Sequence, residues 1–372
     1  MSNVSILLLL NYQIDVAKEY SFRDLNIPKF EEDVRAVFEK DPDTTLLVCE
    51  IIERTQFGPE EQNTLDRAFE VLNRVAPRYY LVVDDTMDHQ VTFNGNVAYL
   101  SGCMMLAYLS IWMKGHPVAT EWKPSTNKGL MLVGKCPKIH RIGLLKKFYE
   151  QNALDYIEWT AHFVNQRDAI KDRFFSDYTD EEYDIFVNNC NRLLDLPNDH
   201  PSLPEIGIGH FHHQGFPFDH TLYERTAFSV VLESEYYGTG KPWLSEKTWR
   251  AIANKHPFII VGGESNIPDL KEKGYRTFEE LLSIPEYHSL LTLTGDMDYA
   301  LNSIVTNTVE FSKLLENPSP SLVAKINEDV EHNYRLFETF MHNQVSKFLE
   351  TTGLSINAII ELMDIQLSPW CR

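Results

Sequence analysis

The stretch "KPWLSEKTWRAIANKHPFIIVGG", Lys241 to Gly263, decides how the chain is read. Ser245 is a favourable N-cap, and Leu244 and Trp249 fall at the two positions of a hydrophobic staple. Trp249, Ile252 and Ala253 then share one face, so the spacing predicts a short helix opening at Glu246. Pro257 limits its length. The following "FIIVGG" has the continuous apolar character of a strand buried on both faces of a parallel sheet. Its closing glycines suit a place where backbone must approach something closely. A helix feeding directly into a doubly buried strand is the rhythm of an α/β protein.

The same rhythm extends outward. Strands are expected at "VSILLLL", "TTLLVCEII" and "RYYLVVDD", with "NTLDRAFEVLNRVAP" as an amphipathic helix stopped by Pro77. "GNVAYLSGCMMLAYLSIWM" reads equally as a buried helix or a strand pair. The polar link "EWKPSTNKG" precedes a second strand–loop–helix unit, "GLMLVGKCPKIHRIGLLKKFYEQNAL", which places a boundary near residue 122. The expected organisation is an N-terminal α/β domain over 1–122 and a second α/β domain over 123–330. The second carries an insertion around 163–222 that is rich in Asp, Asn, His and Pro, and C-terminal helices fill 331–372.

Composition bounds the function. The chain has 372 residues, 43% hydrophobic and 24% charged, enough for two packed cores. Five scattered cysteines without CxxC spacing indicate neither a disulfide framework nor a zinc knuckle. The short apolar start has no basic flank and no cleavage pattern, and no apolar run approaches a membrane span, so the expected address is the cytoplasm. A net charge of −20 disfavours long-range attraction to nucleic acid or anionic lipid, unless Lys123, Lys128, Lys146 and Lys147 gather on one face. Gly262-Gly263 lacks the GxGxxG spacing of dinucleotide enzymes, and no GxxxxGK[ST] loop is present.

Physical chemistry alone gives the predicted helix mouth a purpose. Free N–H groups at a helix N-terminus favour anions, Lys247 adds a point charge for phosphate, and the Glu246 carboxylate suits the paired hydroxyls of a ribose. The same Ser-Glu-Lys start is equally what an ordinary surface helix shows, because acidic residues in the first turn favour the helix dipole.

The segment "FSVVLESEYYGTGKPWLSEKTWRAIANKHPFIIVGG" resembles the donor-binding half of GT-B glycosyltransferases of the fucosyltransferase type. It is also similar to bacteriophage-encoded glycosyltransferase-like proteins, in which an EKT helix, "HPFIIVGG" and "GYRTF" occur together. The unit with Arg141 at its helix start resembles the first strand–loop–helix of that donor domain, so the likeness covers roughly 126–150 and 222–280. It implies two Rossmann-like domains with an interdomain cleft and a helical C-terminus. It further implies Arg141 and Lys247 on the phosphates of a UDP- or GDP-sugar, assisted by Lys135 and His140. Glu246, on the helix capped by Ser245, would meet the ribose, and the turn with Glu233 and Glu235 would lie near the donor sugar or ribose. The chain departs from many fucosyltransferases in carrying Leu244 two places before the Glu, with Trp243 one place earlier.

The reaction so implied is transfer of a sugar, with inversion, from a nucleotide diphosphate to a hydroxyl. A base must deprotonate the acceptor and positive charge must stabilise the leaving diphosphate. Asp84, Asp85, Asp88 and His89, at the end of an expected strand, are candidates for the base, although Asp is equally favoured there as a turn cap. Acidic pairs in "VVDDT" and "GDMDYA" are short for a metal-binding motif, and His210, His212, His213 and His220 lack an accompanying zinc pattern, so no obligatory metal is expected. The acceptor stays open between a hydroxymethylated pyrimidine in phage DNA, which would put the protein in a host cytoplasm, and a glycan, lipid-linked sugar or protein hydroxyl. The alternative is a non-catalytic nucleotide- or glycan-binding or assembly protein on the same scaffold.

Overall fold

The computed structural model describes residues 4–10, 20–21, 26–43, 45–51, 59–76, 79–83, 97–99, 104, 121–134, 139–161, 170–172, 175–190, 221–233, 242, 244–282 and 297–355. The chain is α/β, with parallel sheets, and falls into one unit of residues 1–105 with 341–372 and another of 106–340.

In the first unit, β1 (Val4–Leu10), β2 (Tyr20–Ser21), β3 (Thr45–Ile51), β4 (Tyr79–Val83) and β5 (Val97–Tyr99) form a parallel sheet in the order β2-β1-β3-β4-β5. The strands expected at "VSILLLL", "TTLLVCEII" and "RYYLVVDD" are β1, β3 and β4. Between them run α1 (Ile27–Lys40) and α2 (Pro59–Val75). Asn26 starts α1 by accepting the Lys29 N–H at 3.1 Å, and Phe30, Val34 and Phe38, spaced by one helical turn, are its buried residues. Helix α2 buries Ala68, Phe69, Val71 and Leu72 and ties to α1 through the Arg74–Glu31 ion pair. Within the ambiguous apolar stretch, the described parts are β5 and a helical residue at Met104.

The second unit holds β6 (Gly129–Gly134), β7 (Ile157–Ala161), β8 (Phe228–Leu232) and β9 (Phe258–Val261), parallel and in the order β7-β6-β8-β9. Helix α3 (Ile139–Glu150) joins β6 to β7, and α4 (Asp180–Cys190) and α5 (Thr221–Arg225) lie between β7 and β8. Helix α6 (Glu246–Ala253) joins β8 to β9. Then follow α7 (Asn266–Glu272), α8 (Glu279–Leu282), α9 (Met297–Leu314) and α10 (Pro320–Thr352), whose last residues, from 341, belong to the first unit. Every residue of β8 and β9 is buried, as the run "FIIV" predicts. The chain leaves β6 toward β7 and returns on the other side of β6 as β8, so the winding reverses between β6 and β8. Ligands of open parallel sheets bind beyond the carboxyl ends of the strands at such a reversal.

Helix α6 is held from behind by aromatic packing. Trp249 is 1% exposed, stacks on Phe337 of α10 at 6.1 Å and meets the edge of Tyr275 at 5.6 Å. Beside Tyr275, Asn333 accepts the Arg276 N–H at 2.7 Å and donates to its carbonyl at 2.8 Å, while the Arg276 guanidinium pairs with Glu328 and Asp329. The "GYRTF" segment is thereby clamped to α10.

At the amino end of the sheet, His256 is buried. Its Nε2–H donates to the Thr226 carbonyl at 2.8 Å, which leaves Nδ1 to accept the Ser229 hydroxyl at 2.7 Å. Burial pushes its pKa down to about 4, against the ordinary histidine value near 6.5. Between those values the unfolded chain binds the proton and the folded chain does not, so His256 stabilises the fold above about pH 6.5 and loses this as pH falls. We expect urea denaturation of the wild-type protein to show stability falling between pH 6.5 and 5 by up to about 1.4 kcal/mol per pH unit more than in His256→Gln. Equal slopes would show that His256 carries no such linkage.

Candidate functional site

The carboxyl ends of β6 and β8 flank the reversal of the sheet, and α3 and α6 begin nearby. The residue that joins them is Glu233, the first after β8, with no exposed surface. Its N–H continues the ladder by donating to the Val261 carbonyl at 2.9 Å. Its own carbonyl accepts His140 Nε2–H at 2.9 Å and Arg141 Nη2–H at 3.2 Å, both from the first turn of α3. Its carboxylate turns to α6, where Oε2 accepts the Ser245 N–H at 2.9 Å and Oε1 accepts the Thr248 hydroxyl at 2.5 Å. Negative charge beside a helix N-terminus is favourable there, since the first-turn N–H groups carry the positive end of the dipole.

Ser245 is the N-cap that the sequence predicts: its backbone is extended, and its hydroxyl accepts the Lys247 N–H at 3.4 Å. Leu244 and Trp249, the staple positions, are both buried. Lys247 Nζ donates to Glu246 Oε1 at 2.8 Å and to Ser245 Oγ at 3.3 Å. Burial works to raise the Glu246 carboxyl, but the charges of Lys247 and Arg250, with the Lys247 hydrogen bond, bring it down to about 2. Glu246 is therefore an anion at neutral pH. Its side chain is 21% exposed and that of Lys247 27%, whereas Arg141 is 6% exposed and His140 2%. Arg141 Nε is buried without a hydrogen-bond partner, which is costly for a guanidinium and leaves a donor available in the junction.

Of the residues singled out in the sequence, His140, Arg141, Glu233, Ser245, Glu246 and Lys247 are thus one connected hydrogen-bonded group. Lys135, Glu235, Asp84, Asp85, Asp88, His89, Asp296 and the histidines 210, 212, 213 and 220 lie outside the described residues. Asp298 opens α9 and pairs with Lys147 at 2.7 Å. Among the described residues no group of three or more His, Cys, Asp or Glu is placed to hold a metal, and no described helix is long and apolar enough to cross a membrane. Cys190 is buried, and burial pushes its thiol up to about 12, so it is a packing residue rather than a nucleophile.

The sequence alone gives no role to Thr248 or to Asn266, a close neighbour of Gly262. Thr248 is fully buried and looks like an ordinary first-turn residue; only the position of Glu233, 15 residues earlier, gives its hydroxyl a purpose. The glycine after β9 does mark a close approach. A Cβ on Gly262 would lie 2.6 Å from Asn266 Nδ2 and 2.9 Å from Glu233 Cβ. Gly262→Ala is expected to cost about 1–3 kcal/mol of stability by overpacking and to shift the Glu233 side chain. Unchanged denaturation midpoints would show that the seat is looser than these distances require.

Comparison with family models, with curated proteins and with solved structures returns no match for this chain.

Proposed function

We propose that the protein is a glycosyltransferase of GT-B-like, two-domain type that moves a sugar from a nucleotide diphosphate, a UDP- or GDP-sugar, to a hydroxyl acceptor. The observation that carries the reading is the partly exposed Glu246–Lys247 pair at the mouth of a helix at the reversal of a parallel sheet. An ionised carboxylate accepts from two vicinal ribose hydroxyls. Lys247, which has three N–H donors and uses two on Glu246 and Ser245, retains one for a phosphate oxygen. Arg141 adds a buried positive charge and an unpartnered Nε to the same junction, which suits a diphosphate leaving group. The acceptor base is sought in the Asp84, Asp85, Asp88 and His89 group, with no metal required for the positive charge already supplied.

Charge pairing bears on the acceptor. Lys128 pairs with Glu158 at 3.8 Å, Lys146 with Asp177 at 3.2 Å and Lys147 with Asp298 at 2.7 Å. Three of the four lysines that would have to meet a DNA backbone are thus neutralised within the protein. With a net charge of −20, this favours a glycan or another uncharged hydroxyl over DNA.

The reading is tested by thermal-shift titration of UDP, GDP, ADP, CMP and their sugar conjugates. A ligand of the folded state at a hundred times its Kd adds about 2.7 kcal/mol of stability. Stabilisation by one nucleoside diphosphate is expected, with affinity falling about tenfold or more in Lys247→Ala through loss of a charge-assisted hydrogen bond. No stabilisation by any of them would sink the donor-site reading. Release of free sugar from the conjugate that binds would mark an enzyme; binding without turnover would favour a nucleotide- or glycan-binding protein on the same scaffold.

A further inference from the structure

We infer that Glu233 is a positioning residue, a fully buried carboxylate that braces the mouth of α6 so that Lys247 and Glu246 are presented to a nucleoside diphosphate, and that it makes no ligand contact of its own. This rests on the donor-site reading for the identity of the ligand, but the brace itself is a matter of geometry. Glu233 is 0% exposed, and each carboxylate oxygen has a partner on α6, in the Ser245 N–H at 2.9 Å and the Thr248 hydroxyl at 2.5 Å. Those two donors stand on either side of Glu246 and Lys247 in the chain, so the carboxylate fixes the turn that carries the pair. The Ser245 hydroxyl completes the turn by accepting from Lys247 N–H and Nζ.

The same residue reaches α3 through its carbonyl, which holds His140 and Arg141. One position after β8 therefore sets the register between the first turns of both helices that face the reversal of the sheet. Gly262 makes this possible, since any side chain there would collide with the Cβ and Cγ of Glu233. Neither Ser245 nor Thr248 can turn to water for a replacement acceptor, because they are 2% and 0% exposed. Loss of the carboxylate leaves two buried donors without partners, and the turn must open to satisfy them.

Thr248 makes the inference testable. A Glu233 that touched ligand directly would be indifferent to the Thr248 hydroxyl, which has no route to solvent; a brace would not. Glu233→Gln, Thr248→Val, Thr248→Ser and the Glu233→Gln/Thr248→Val double variant are compared with wild type by amide hydrogen exchange over residues 244–250 and by titration with UDP and GDP. Thr248→Val changes the side chain least and serves where Glu233→Gln fails to fold. The expected result is faster exchange over 244–250 in both single variants, with the diphosphate bound about tenfold more weakly. The double variant is expected to be no worse than the more affected single one, because both substitutions act on the Glu233–Thr248 contact, and Thr248→Ser to behave as wild type. Wild-type exchange and binding in Thr248→Val, or additive losses in the double variant, would overturn the brace. Faster exchange as expected, with neither diphosphate bound by the wild-type protein, would uphold the brace and overturn the donor-site reading instead.

Discussion

A carboxylate removed from water must find donors inside the protein, because the desolvation of a charge costs several kcal/mol even after the surroundings relax. Glu233 meets that demand with a backbone N–H and a hydroxyl drawn from the first turn of α6, and the rest of the second unit is arranged so that they are there to be found. The strand behind it places Glu233 by a ladder hydrogen bond to Val261, and β9 turns away at Gly262, where the absence of a side chain admits the Glu233 stem. Helix α6 in turn cannot drift, since Trp249 is packed between Phe337 and Tyr275. The polar junction is thus backed by an aromatic layer.

Polarity is divided between the two ends of the sheet. At the amino end, His256 sits between Thr226 and Ser229, neutral and closed off, with a tautomer fixed by its carbonyl partner. Ser229 and His256 have the atoms of a nucleophile and a base, but their partners and burial make them a structural link. At the carboxyl end the polar groups are charged, partly exposed and include an unpartnered Arg141 Nε. Strand direction separates the two kinds of site, as expected where ligands meet a parallel sheet beyond its carboxyl edge.

Much of this architecture is legible in the sequence where information is local. The α6 start follows from Ser245, Leu244 and Trp249 within one turn, and β9 from four consecutive apolar residues ended by glycines. Strands β1, β3 and β4 follow from short apolar runs, and helix α2 from its amphipathic pattern and the Pro77 stop, although it begins earlier than expected, at Pro59. What escapes is the long-range pairing. Nothing in the sequence neighbours of Glu233 reveals that Thr248 and Ser245 will close on its carboxylate. Asn333, more than fifty residues from Arg276, reads its backbone at both N–H and carbonyl, and no local pattern announces that either. Hydrophobic period specifies elements; the satisfaction of buried polar groups is decided only after the elements meet.

The acidity of the chain sharpens the functional argument. With 54 acidic against 34 basic residues, an anionic ligand gains nothing from the long-range field, so attraction must come from groups whose charge is not already cancelled nearby. Lys128, Lys146 and Lys147 are spent on carboxylates, as are Lys255 on Glu331 and Lys273 on Asp269. At the junction the balance is different. Among the described residues, Glu233 and Glu246 stand there against Arg141, Lys247 and Arg250, with the N-terminal dipole of α6 added. A local field of this kind acts at contact distance, whereas the surrounding acids repel extended polyanions, which is the contrast the proposed diphosphate ligand requires.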